Sequence, residues 1–162
     1  MNQLRWLLAF TGGGLTGAAV GFAFGIFAYP YLFLADVVAT ERVEPESRQV
    51  LARGTFAHAD PSDPIHYGKG GVTIYEGLLH LEPDFEVGPG PKFHVYLVPA
   101  REVVPSTDVE RMMFVDLGRL KAFRGSQNFA VPAGVDIAKF ASVVIWCEQF
   151  GVLISPAELR HE

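Results

Sequence analysis

The chain predicts an all-β domain, β-sandwich or barrel-like in form, preceded by one transmembrane α-helix. Three observations point there. The run from Trp6 to Ala35 holds no charged residue, a polar and acidic stretch follows it, and beyond Arg53 short apolar segments alternate with turn residues.

The apolar run comes first. About 20 apolar residues cross a bilayer core of ~30 Å, so this one is ample and could tilt. A secretory signal is the competing reading. Its apolar region is usually about 7–15 residues, and no small-x-small cleavage site follows Leu34. A retained anchor is therefore expected over residues 6–35, with residues 1–5 as a short N-terminal tail. Arg5 touches the run, whereas Arg42, Arg48 and Arg53 lie further off on the other side. That favours a cytoplasmic N-terminus and a single-pass membrane protein whose soluble domain lies outside the cytoplasm.

Within the run, Gly13, Gly17, Gly21 and Gly25 recur every fourth residue. On a helix they form a smooth stripe that a second helix can approach closely. A transmembrane helix partner is expected, either another copy or a different membrane protein.

Residues 36–50 read as a polar acidic linker, broken by Pro45, with a helical turn around Glu46–Leu51. Residues 51–162 read as one domain, since about 110 residues suffice for one core and not for two. Val72–Tyr75 and Leu78–Leu81 flank Glu76-Gly77 and predict a tight hairpin. Gly88-Pro89-Gly90-Pro91 is a hard break, and Phe93–Val98 follows as a strand. Met113–Asp116, Asn128–Val131, Ser142–Cys147 and Val152–Ile154 complete the strands, with one helical turn expected at Val135–Phe140. This spacing of turns suggests a sandwich or barrel.

Charge excludes one function class. The formal net charge is −5, and Arg5 is the only charge before Asp36, so the domain is more acidic still. Binding to a phosphate backbone needs a basic surface, so no nucleic-acid partner is expected. Phosphate-binding Gly loops, a Gly-x-Ser-x-Gly elbow and Cys-x-x-Cys-His are all missing, which excludes covalent c-type haem attachment.

Cys147 is the only cysteine and ends the apolar run that starts at Ser142. It has no partner for a disulfide within its own chain. It is then a buried hydrophobe, a redox-active or cofactor-holding sulfur, or half of an intermolecular bridge. Strand alternation groups Val143, Ile145 and Cys147 on one face, and Ser142, Val144 and Trp146 on the other.

Other donors are weaker candidates. His58, Asp60, Asp63 and His66 flank a proline-constrained loop that could present ligands to a divalent metal, or simply form a polar turn. His94 lies on the strand face opposite Phe93 and is a candidate haem partner or general base. Met112 and Met113 offer soft thioethers, at least one of which reads as packing.

Several phrases combine in order: Gly54-Thr-Phe56, Gly71-Val-Thr-Ile74-Tyr75, Leu79-His-Leu81, Gly88-Pro89 and His94-Val95-Tyr96-Leu97. Leu117-Gly118, Gly125-Ser-Gln127-Asn-Phe129, Val144-Ile145-Trp146-Cys147 and Ala157-Glu-Leu159 continue the series. Together they resemble the electron-transfer DM-thirteen domain family, in a single-pass, membrane-anchored member of bacterial type. The resemblance implies a β-rich extracytoplasmic domain with a redox role centred on Cys147, as a bare thiol or as a ligand to haem. Trp146 would shield that site or stack near it, and the electron donor and acceptor stay unknown. One loop departs from the family pattern: Gly90-Pro91-Lys92 intervenes where an acidic residue usually leads straight into the next strand. The alternative is a non-enzymatic cell-surface binding or adhesion module in which Cys147 is core packing.

Overall fold

The structure is a computed structural model that describes residues 2–43 and 48–162. Helix α1 spans Asn2–Tyr29, and a single π turn, Pro30–Leu34, follows it. Pro30 lacks the N–H needed to continue the regular ladder, which accounts for the change there. The helix is apolar on every side, and Trp6, Phe10 and Leu15 stand in the open. A helix without a polar face needs an apolar environment all round. Among the described residues it is the one helix long and apolar enough to cross a membrane, and a signal sequence would meet the same test.

Among the described residues, eleven strands form one sheet. They are β1 (Val38–Thr40), β2 (Val50–Phe56), β3 (Gly68–Lys69), β4 (Gly71–Tyr75), β5 (Leu78–Leu81) and β6 (Glu86–Val87). Then come β7 (Phe93–Val98), β8 (Val115–Arg119), β9 (Arg124–Ala130), β10 (Ser142–Cys147) and β11 (Val152–His161). Their order is β3-β6-β9-β5-β4-β2-β11-β10-β7-β8, with β1 added on β9. Every pairing is antiparallel except β1 on β9.

The sheet coils on itself around one core. Strand β3, at one end of the order, returns against β2 and β11, and β8, at the other end, comes back against β9. Inside lie Phe56, Ile74, Leu79, Leu81, Phe85, Val95, Leu97, Val143, Ile145 and Ile154. Buried Gln127 is fully satisfied there. Its Oε1 accepts from Lys121 and Ala122 N–H, and its Nε2 donates to the Ala122 carbonyl, pinning the turn between β8 and β9.

A second apolar layer lies on the outer face of β7, β10 and β11. Tyr96, Val98, Val144, Trp146 and Leu153 pack there under Val103 and Val109 from the segment leading to β8. Strand β10 is thus covered on both faces, which explains its unbroken apolar sequence.

Most expected elements are present, with adjusted lengths. The hairpin β4–β5, β7 and β10 match their expected ranges closely, and a 3-10 turn at Ile137–Lys139 takes its cap from Asp136. Strand β8 begins two residues later than expected, and β9 begins at Arg124 rather than Asn128. Strand β11 runs on through Pro156, whose carbonyl accepts from Ala57 N–H. Part of the expected linker is built into the sheet as β1. The helical turn expected around Glu46–Leu51 lies partly outside the described residues, and Val50 and Leu51 open β2 instead.

Candidate functional site

Cys147 ends β10, opposite Phe93 of β7 and Val152 of β11. Strand alternation turns it inward with Val143 and Ile145, and it is 1% exposed. Its S–H donates to the Pro91 carbonyl at 3.2 Å. Pro91 belongs to the strap Gly88–Lys92, held by Gly88 N–H on the Tyr67 carbonyl and by Glu148 N–H on the Lys92 carbonyl. Burial pushes the thiol pKa up. The N–H groups of Phe150 and Gln149 oppose that rise, and the Glu148 charge adds to it. The sulfur is therefore a protonated thiol at neutral pH, one strap below the surface.

The haem implied by the family resemblance does not fit this arrangement. Cys147 is 1% exposed and packed in the inner core with Phe93, Val143 and Ile145, which leaves no space for a macrocycle at the sulfur. The sulfur already faces a carbonyl, with no open side toward a flat macrocycle.

Trp146 and His94 do not adjoin Cys147. They oppose each other across the β10–β7 ladder, on the outer face. The expectation that Trp146 shields the sulfur fails because consecutive strand residues point to opposite faces. Its indole N–H instead donates to Glu110 at 3.2 Å.

On that outer face a polar cluster gathers. His94 Nδ1 lies 3.0 Å from Asp116 Oδ2 and 3.4 Å from Glu148 Oε1. The Tyr96 hydroxyl donates to Glu148 Oε1 at 2.9 Å, and Lys92 Nζ meets Oε2 at 2.8 Å. Lys92 and Tyr96 are the main reasons the Glu148 pKa falls. The Tyr96 hydroxyl is pushed up strongly by burial and by the Glu148 carboxylate. Asp116 is aimed by a bulge in β8, where the register against β7 slips and Gly118 takes φ +117°. That left-handed backbone suits glycine, and its N–H donates to Asp116 Oδ1 at 2.8 Å.

The family model described as electron transfer DM13 matches residues 61–159, more than half of the chain. The chain belongs to the electron transfer DM13 family. No curated protein and no solved structure matches it. The DM13 match runs from before β3 into β11, and so includes Cys147 and the whole outer cluster. It leaves out β2, although β2 sits between β4 and β11 in the middle of the sheet. The family assigns this domain an electron-transfer-related role.

The loop carrying His58, Asp60, Asp63 and His66 uses its donors internally. Asp63 accepts from His66 Nδ1 and from the N–H groups of Ile65 and His66, while Asp60 accepts from Ser62. His58 Nε2 bonds the Asp63 carbonyl at 2.7 Å. The four therefore close a turn rather than converge on one point. Among the methionines named above, Met112 packs against the outer layer and Met113 is exposed.

Asp116 and Glu148 escaped the sequence reading. The shared parity of Trp146 and Glu148 hinted at an outward-facing carboxylate, but only the pairing of β7 between β8 and β10 brings both acids to His94.

The end of α1 meets the domain close to the strap. Phe27 stacks on Phe150 with ring centroids 5.3 Å apart. An apolar groove of about 530 Å³ lies between Gly21, Gly25 and Tyr29 on one side and Gly90, Pro91 and Arg119 on the other.

Proposed function

We propose that this DM13 domain is held at a membrane, outside the cytoplasm, by α1, and that Cys147 is its redox centre, acting as a bare thiol. The observation that carries this reading is the position of the sulfur at a strand end, under a single strap carbonyl. The redox reading requires Gly88–Lys92 to move aside and uncover it. The strap borders the groove beside α1, so its opening is turned toward the membrane-proximal side. The stretch Gln3–Val20 stays clear of the domain and spans ~27 Å at 1.5 Å per residue, close to a bilayer core. Arg5 supports the outward placement of the domain.

The chemistry is thiol–disulfide exchange with a partner disulfide. Cys147 loses its proton to solvent, and the thiolate attacks one partner sulfur. The Sγ–S bond forms as the partner's S–S bond breaks. The second partner sulfur leaves as a thiolate and takes up a proton, so the disulfide is the oxidant and Cys147 the reductant.

A second reading is favoured by the burial of the sulfur: Cys147 as core packing in a non-enzymatic binding module. Alkylation of the native full chain in detergent separates the two. The redox reading expects labelling through local opening, with a rate insensitive to low denaturant. Labelling that follows global unfolding alone would sink it. A haem absorption band in the chain as purified would overturn the bare-thiol form.

A further inference from the structure

We propose that His94, Asp116 and Glu148 form a binding site for a divalent first-row transition-metal ion. One donor atom from each of the three residues lies within 4.8 Å of the others. The two spacings from the imidazole to the carboxylates are those of adjacent ligands around one ion. Bonds of ~2.0–2.1 Å place adjacent donors ~2.9–3.4 Å apart in octahedral or tetrahedral geometry. His94 Nδ1 stands 3.0 Å from Asp116 Oδ2 and 3.4 Å from Glu148 Oε1.

The donors come from three separate segments: β7, β8 and the turn after β10. Two of them are held by partners of their own, as metal ligands usually are. Gly118 N–H fixes Asp116, while the Tyr96 hydroxyl and Lys92 Nζ fix Glu148. The imidazole is sheltered, with its side chain 15% exposed, while Asp116 at 38% opens the cluster to solvent. One imidazole and two carboxylates suit Mn²⁺, Fe²⁺ or Zn²⁺, with the remaining positions left to water. The site lies on the face opposite Cys147 and does not depend on the redox reading.

The test uses the full chain in detergent, stripped with a chelator and titrated with Zn²⁺ by calorimetry and with Co²⁺ by visible absorption. One ion per chain is expected, with ligand-field bands from Co²⁺. His94→Gln, Glu148→Gln and Asp116→Asn should each weaken binding by about tenfold or more. Their unfolding midpoints without metal establish that each variant is folded, and Asp116, the most exposed of the three, is the safest. Cys147→Ser should bind as the parent does. Failure to saturate at submillimolar Zn²⁺ overturns the site, as does unchanged binding in the folded variants. Loss of binding in Cys147→Ser alone would assign the ion to the sulfur and also overturn it.

Discussion

His94 and Trp146 stand directly opposite each other across the β7–β10 ladder, on the face turned away from Cys147. Three consecutive residues, Trp146, Cys147 and Glu148, therefore serve two surfaces. The sulfur belongs to the inner core beneath the Gly88–Lys92 strap. The indole and the carboxylate belong to the outer face, with Glu110 and His94 as their respective partners. Perturbing the sulfur and perturbing the cluster should be separable for this reason.

Cys147→Ala removes a buried sulfur packed among the residues of the inner core. Loss of its transfer energy and the small cavity left behind should lower stability by about 1–2 kcal/mol. Chemical denaturation of the full chain in detergent measures this. An unchanged midpoint would mean that the sulfur is not packed as described.

Gly125 sits where β9 accepts β1, with φ +83°, and an added Cβ would run into the Ala39 carbonyl oxygen. Gly125→Ala should therefore expel β1 or strain β9, at a cost of about 1–3 kcal/mol. Amide exchange at Glu41, whose N–H donates to the Ser126 carbonyl, should accelerate in this variant. Parent-like protection there would argue against the parallel pairing.

Asp63 contributes pH-dependent stability to its loop. His66 and two backbone N–H groups hold its carboxyl down at about 2, against an ordinary value of 3.8. A depressed folded-state pKa gives stabilisation that is fully present above the unfolded value. That stabilisation fades as pH falls from about 4 through 2. The gap in unfolding midpoint between parent and Asp63→Asn should thus be largest near neutrality and shrink over that window. A gap that stays constant would refute the assignment. Exposure of the pair keeps the effect small.

The glycine stripe on α1 should support helix association. Outside the helix's own neighbouring backbone, no described atom lies within 4 Å of an added Cβ at Gly13 or Gly17. Leu at Gly13 and Gly17, inside the stretch that crosses the bilayer core, would hold a second helix away and should reduce association by about tenfold, read by energy transfer between labelled chains in vesicles. Equal transfer in parent and variant would reject the stripe as an interface.

Elements shaped by local chemistry were legible in the sequence. The β4–β5 hairpin carries its own turn, and β7 and β10 are apolar runs bounded by breaks. By contrast, β3 and β6 are two residues each and exist only through their partners. Strand β1 looked like linker because its apolar residues are few and its pairing partner lies far along the chain. Strand β11 runs past Pro156, where proline usually demotes a central strand, so its length has no local signal. At the site, Cys147 and His94 stood out by residue type. The role of Asp116 rests on a bulge, and that of Glu148 on its closeness to β7, neither of which leaves a local signal.

The amino-acid order alone determined the apolar helix, the β-rich character of the remainder, the family resemblance and the alternation that parts Trp146 from Cys147. These follow from hydrophobic period and turn chemistry, which act over a few residues. Only the folded arrangement decided that the sulfur lies under Pro91 without room for haem, and that three distant donors meet around His94. Such outcomes depend on which strands pair and in what register, and that choice is made by burial across the whole sheet.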